Sequence, residues 1–278
     1  MVSKDLNFQL FNEAWISLKT QDWRVPSASW RSIRVLQRNF DSYKRYYKAS
    51  LFSALGEPIL YLLAMGYGLG AYLQSIEGVS YLEFITPGLL VSSAMYSATF
   101  EGTFGSYTRM VEQKNFEAII ATPLTIGDVA VGEILWGGVK GLIGSSIMFL
   151  IIVAFGLVKS WSSVFIFPLL LLVGLLFMSM SLIATAVSPT YEFFNYFFTL
   201  FISPMFFFSG IFFPLTNFPL WVKGVAWFMP LTHAVNIARS LITGQDYLSI
   251  IWDLLWLAIV TVIFTMVSMI LVQHRVIK

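Results

Sequence analysis

Of the ionisable side chains that interrupt stretches otherwise suited to lipid, Glu57, Glu101 and Lys140 stand out. Each costs about 2.5–3.5 kcal/mol at mid-bilayer on insertion scales, so such groups persist where they meet one another or line a polar path. With apolar runs at 50–72, 82–107 and 131–157, all three lie roughly 9–14 Å from the same membrane face at ~1.5 Å per residue. Lys140 is therefore expected to pair with Glu57 or Glu101 and to hold the inner ends of these runs together. The alternatives to a pair that opens during function are a static bridge or a headgroup contact made by snorkelling. Glu57, Glu101 and His233 could instead act as proton-relay groups of a coupled carrier. Acid–base chemistry has little to use: the histidines are His233 and His274, there is no cysteine, and neither histidine stands near a nucleophile or at metal-ligand spacing. No catalytic residue and no metal site is assigned, and an intramembrane transferase would have to take His233 as its base. A phosphate-cradling loop ending in Gly-Lys-Ser/Thr is also missing, so ATP and Mg are not cofactors of this chain.

These side chains need apolar helices to position them. The chain is 57% hydrophobic and 12% charged, a composition that calls for lipid as solvent and for helices that satisfy their own backbones. Six runs, at 50–72, 82–107, 131–157, 164–187, 193–213 and 251–272, are long enough to span. The fold class expected is an all-α integral membrane protein with six transmembrane helices. Nine of the seventeen Lys and Arg residues precede residue 50. Thirteen fall on the side of the head and three on the other, with Lys140 within a span, which places both termini in the cytoplasm. The chain divides accordingly into a cytoplasmic N-terminal region, 1–49, and a six-helix domain, 50–278. No internal repeat is evident, which disfavours an inverted-repeat carrier.

Three further segments flank the spans. Residues 30–48 alternate an apolar stripe (Ile33, Leu36, Phe40, Tyr43, Tyr47) with a basic one (Arg31, Arg34, Arg38, Arg45, Lys48), as in a helix at headgroup level. It either anchors orientation on anionic lipid or borders a lateral opening for an amphiphile. Between the second and third runs, residues 109–122 can be helical and Pro123 should stop them; Thr125 with Asp128 fits a capping box opening the next helix. That segment either passes force to the spans or merely connects them. After the fifth run, Pro214, Pro219 and Pro230 divide residues 214–245, carrying Trp221, His233 and Arg239, into two short helices that dip into or lie along the outer face. Phe193, Phe197, Phe201, Phe208 and Phe212 form an aromatic stripe on the fifth run, suited to lipid packing or to guiding tails and sugar rings.

The pieces Glu57-Pro58-Ile59-Leu60-Tyr61, Tyr81 to Gly88, Phe116 to Leu124, and Phe213-Pro214-Leu215 through Pro230-Leu231-Thr232 to Arg239 resemble the membrane subunits of type-2 ABC exporters. Within that family the likeness is greatest to the permeases that export nodulation factors, lipid-modified chito-oligosaccharides, and it runs from Leu51 onward. The resemblance implies a coupling helix after the second span, with Glu112, Phe116, Glu117, Thr122 and Pro123 forming or shaping the contact with a separate ATPase subunit. It also implies re-entrant outer helices, a homodimer, a bacterial inner-membrane location, no nucleic-acid partner, and ATP with Mg bound in the partner subunit.

Overall fold

The computed structural model of the chain describes residues 24–48, 56, 59–73, 75–76, 78–244 and 247–277. Apart from an isolated pairing of Ile76 with Val79, the regular structure among them is helical, as expected where lipid offers the backbone no hydrogen bonds. In chain order the helices are α1 (Ser32–Tyr43), α2 (Ile59–Ala71), α3 (Tyr81–Phe100), α4 (Asn115–Ile120), α5 (Ile126–Ala154), α6 (Ile166–Val187), α7 (Phe193–Phe208), α8 (Leu220–Trp227), α9 (Pro230–Thr243) and α10 (Tyr247–Val276). Among the described residues, three stretches are long and apolar enough to cross a membrane: Ile126–Ala154, Trp161–Val187 and Ile250–Val276; α2 and α7 are shorter apolar helices.

The core forms around α3, whose Ile85, Leu89, Leu90 and Ala94 are fully buried against α5, α6 and α9. α5 and α6 cross at glycines: a Cβ on Gly174 would stand 2.9 Å from the Gly138 Cα and 3.0 Å from its carbonyl oxygen. Small residues at such a crossing let two backbones touch, the packing that replaces hydrophobic drive inside a membrane.

Several boundaries differ from the hydropathy runs, each for a local reason. α5 starts at Ile126, five residues before the apolar run at 131, because Thr125 caps the Asp128 amide while the Asp128 carboxylate returns a bond to the Thr125 amide. α7 stops at Phe208, short of 213: the chain turns at Gly210, whose φ of 75° suits glycine. A π turn at Phe198–Ile202 also shifts the helical register. The aromatic stripe consequently splits, with Phe197 and Phe212 buried and Phe201 and Phe208 exposed.

Candidate functional site

α3 does not end at Phe100. It continues through two widened π turns, Glu101–Gly105 and Thr108–Glu112, and these deliver Glu101 and Arg109 to one buried site. Arg109 lies between two carboxylates: Nη1 is 2.6 Å from Glu101 Oε1 and Nη2 is 2.5 Å from Glu133 Oε2. Lys140 Nζ donates to the other oxygen of Glu101. Glu133 also accepts from Asn39 Nδ2 at 2.8 Å and Ser106 Oγ at 3.0 Å, and Arg38 Nη2 stands 3.7 Å away. Glu101 and Glu133 are 3% and 0% exposed, so the cations and the neutral donors together replace the water these carboxylates have lost. α1, α3 and α5 are thereby joined at one polar point inside an apolar body. Glu57 lies outside the described residues.

α1 reaches this cluster by a face that shares only Tyr43 with its apolar stripe. Ser32, Val35, Asn39 and Tyr43 are buried against α5, where Gly132 makes room: a Cβ there would meet the Val35 Cβ at 2.5 Å and the Ser32 carbonyl oxygen at 2.7 Å. Ile33, Phe40 and Tyr47 instead remain outside, along with Arg31, Arg34, Arg45 and Lys48. The helix ends at Tyr43, ahead of Arg45 and Lys48. Immediately before it, the chain straps the start of α5. Asp128 Oδ1 accepts from the Ser29 amide and hydroxyl at 2.5 and 2.9 Å, Thr125 Oγ1 donates to the Ser27 carbonyl at 2.8 Å, and Arg31 Nη1 donates to the Pro123 carbonyl at 2.8 Å.

The expected helix over 109–122 is broken in two. Glu112 closes the π turn, Lys114 takes a left-handed φ of 51°, and α4 then runs only from Asn115 to Ile120. Phe116 points inward and is fully buried with Met110, Val129, Ala130, Met269 and Val272, so it shapes the position of α4 and is not itself an exposed contact. Glu112, Glu117, Thr122 and Pro123 are exposed. Thr122 closes the helix by donating to the Ile119 carbonyl at 2.6 Å.

On the far side of the bundle, Pro214 precedes a short 3₁₀ turn, Pro219 precedes α8 and Pro230 is the first residue of α9, positions where a missing amide proton costs nothing. α8 leaves Trp221 and Trp227 exposed, whereas α9 is sunk between α3 and α10. Arg239 donates to the Gly210 carbonyl at 2.9 Å and lies 4.2 Å from the Phe84 ring centre. His233 bridges Asp253 (Nδ1, 2.6 Å) and the Trp227 carbonyl (Nε2, 2.7 Å) and stacks on Trp256.

The sequence reading did not find Arg109, Glu133, Asn39 and Asp253 as site residues. Glu133 and Lys140 are seven apart, two turns of one helix face, which is the signal that could have marked Glu133. Asp253 likewise interrupts the apolar run at 251–272. No group of three or more His, Cys, Asp or Glu able to hold a metal occurs among the described residues.

An all-helical body with bilayer-length apolar helices, a short helix docked beside them and a buried ionic junction is that of an integral membrane protein. The chain belongs to the ABC-2 type transporter family, which matches residues 33–243. It is 34% identical over 221 residues to Nodulation protein J of Rhizobium meliloti (strain 1021), covering 80% of this chain and 84% of that one. To Nodulation protein J of Rhizobium leguminosarum bv. trifolii it is 33% identical over 254 residues, 91% and 97% of the two chains. Inner membrane transport permease YadH of Escherichia coli (strain K12) is 23% identical over 215 residues, 77% of this chain and 84% of that one. It is an ABC-type membrane permease.

Proposed function

We propose that this permease exports an amphiphilic substrate, a lipid-linked glycan or lipo-oligosaccharide, outward across a bacterial inner membrane, driven by a separate ATPase subunit. Two copies form the path, each with six spans, both termini in the cytoplasm, and a head at 1–49 set against the membrane domain at 50–278. The observation that carries this reading is the placement of α4. Phe116 is socketed in the membrane body while Glu117, Thr122 and Pro123 face away from it, so a load applied to the outer face of α4 passes into the helices. Glu112 lies on the same exposed approach. Upstream, the same chain leads directly into Arg109 and the buried cluster, which ties α1, α3 and α5 to any movement of α4.

An amphiphile suits the lining. Phe100 and Phe104 stack at 5.9 Å, Phe100 and Phe198 lie 4.8 Å apart, and Phe100 is 48% exposed, an aromatic face that accepts acyl chains and sugar rings alike. The likeness to proteins named for nodulation supports the glycolipid class.

Co-expression with a candidate ABC-type ATPase subunit should yield a complex that hydrolyses ATP with vanadate sensitivity. Substrate movement by the purified chain driven by a proton gradient, with no ATPase present, sinks the proposal in favour of a coupled carrier.

A further inference from the structure

Arg34 on α1 lines two cavities at once. The larger, about 260 Å³, opens between α1 and α4, where Val35, Ala118, Ile119 and Leu124 give an apolar lining and Arg34 and Arg38 two guanidinium groups. The smaller, about 130 Å³, is bounded by Trp30, Arg31, Ile33 and Gln37 as well as Arg34. No acidic side chain lines either cavity. Arg34 Nη1 donates to the neutral Gln37 Oε1 at 3.2 Å. Arg38 adds to the imbalance: with Arg109 and Lys140 it faces the two carboxylates Glu101 and Glu133, three cations against two anions. The buried junction therefore carries one excess positive charge at the edge that opens into the larger cavity.

We propose that the cavity between α1 and α4 is a binding site for the phosphate of an anionic membrane-lipid headgroup. The guanidinium fork matches phosphate oxygens in pairs, and a headgroup there neutralises the excess charge without breaking the Glu133 contacts. The cavity's own apolar lining points to a lipid over a free anion: Val35, Ala118, Ile119 and Leu124 beside the two guanidinium groups form a surface that tolerates acyl carbons and gains nothing from inorganic phosphate. A lipid held there touches α1 and α4 together, so membrane composition sets how firmly the two are joined. The inference rests on α1 lying at the headgroup level and not on the ATPase partnership, and its main readout, retained lipid, needs no ATPase.

The full chain is placed in nanodiscs of phosphatidylcholine with a graded fraction of phosphatidylglycerol, and retained lipids are counted by native mass spectrometry. The unaltered chain should retain phosphatidylglycerol selectively, and soluble glycerol phosphate should not displace it. R34Q should lower that retention about tenfold or more, beyond the roughly fivefold expected of one diffuse surface charge. R45Q, exposed and outside both cavities, should stay within that fivefold. A118F, which fills the cavity without removing charge, should reproduce the R34Q loss. Equal losses in R34Q and R45Q, no selectivity in the unaltered chain, or displacement by soluble glycerol phosphate each overturn the site. So does an R34Q chain that keeps its lipid but no longer binds the ATPase subunit, since that result assigns the cavity to a protein contact.

Discussion

Among individual residues, Arg109 holds the most. Among the described residues it is the one cation bonded to both buried carboxylates, whereas Lys140 serves Glu101 alone. Removing one partner of a buried ionic group costs about 3–5 kcal/mol because the remaining charge keeps its desolvation penalty, and a charged hydrogen bond alone contributes about 1.5–3 kcal/mol. R109M should therefore lower the thermal midpoint of the purified chain far more than K140M does. A charge swap, K140E with E101K, should recover little, because Glu101 also carries Arg109. Equal losses from the two single changes would contradict this ranking. Lys140 and Glu101 were visible in the sequence as charges within apolar runs, and their common depth followed from a rise of ~1.5 Å per residue. Arg109 was not, for a geometric reason. Eight residues along an α-helix rotate the side chain about 80° away from Glu101, and only the π turns between them restore the alignment. No periodicity rule built on 3.6 residues sees such a pair.

At the level of elements, the short helix α4 depends on a single aromatic anchor. Truncating a buried phenylalanine to alanine typically costs 3–5 kcal/mol, and here the loss falls on a six-residue helix too short to persist unaided. F116A should leave the membrane body assembled, make the segment between Glu112 and Pro123 sensitive to protease, and abolish ATPase co-purification. E117A should keep protease resistance and weaken only the complex. The existence of this helix, the stop near Pro123 and the Thr125–Asp128 cap were legible because capping and proline rules are local. The inward direction of Phe116 was not, since it depends on Met269 and Val272, well over a hundred residues away in the chain. The same applies to α1: its amphipathic character could be read, but the buried face is selected by the notch at Gly132, which belongs to another helix.

Across the whole molecule, the chain contains no cysteine, so single-cysteine labelling maps topology without background. A cysteine placed at Lys114 should react with an impermeant thiol reagent only from the cytoplasm, and one at Trp161 or Lys223 only from outside; reversal of either result overturns the six-span arrangement. The bilayer character of the chain and its longest helices were plain from composition, whereas the sunken α9 was only half legible, because burial of a proline-started helix depends on what surrounds it. One feature of α10 links the two ends of the molecule. Near its start Asp253 grips His233 of α9, and near its finish Met269 and Val272 wall the Phe116 socket. The twenty residues from Asp253 to Val272 lie in one unbroken helix, a rod of about 29 Å from first to last. A stiff rod clamped at both tips cannot slide at one without pulling on the other. If the ATPase partner proposed above shifts the Asp253–His233 clamp through this rod, reciprocity requires the clamp to change that partner's affinity by the same factor. D253N, remote from α4, should accordingly change the affinity of the ATPase subunit for the permease.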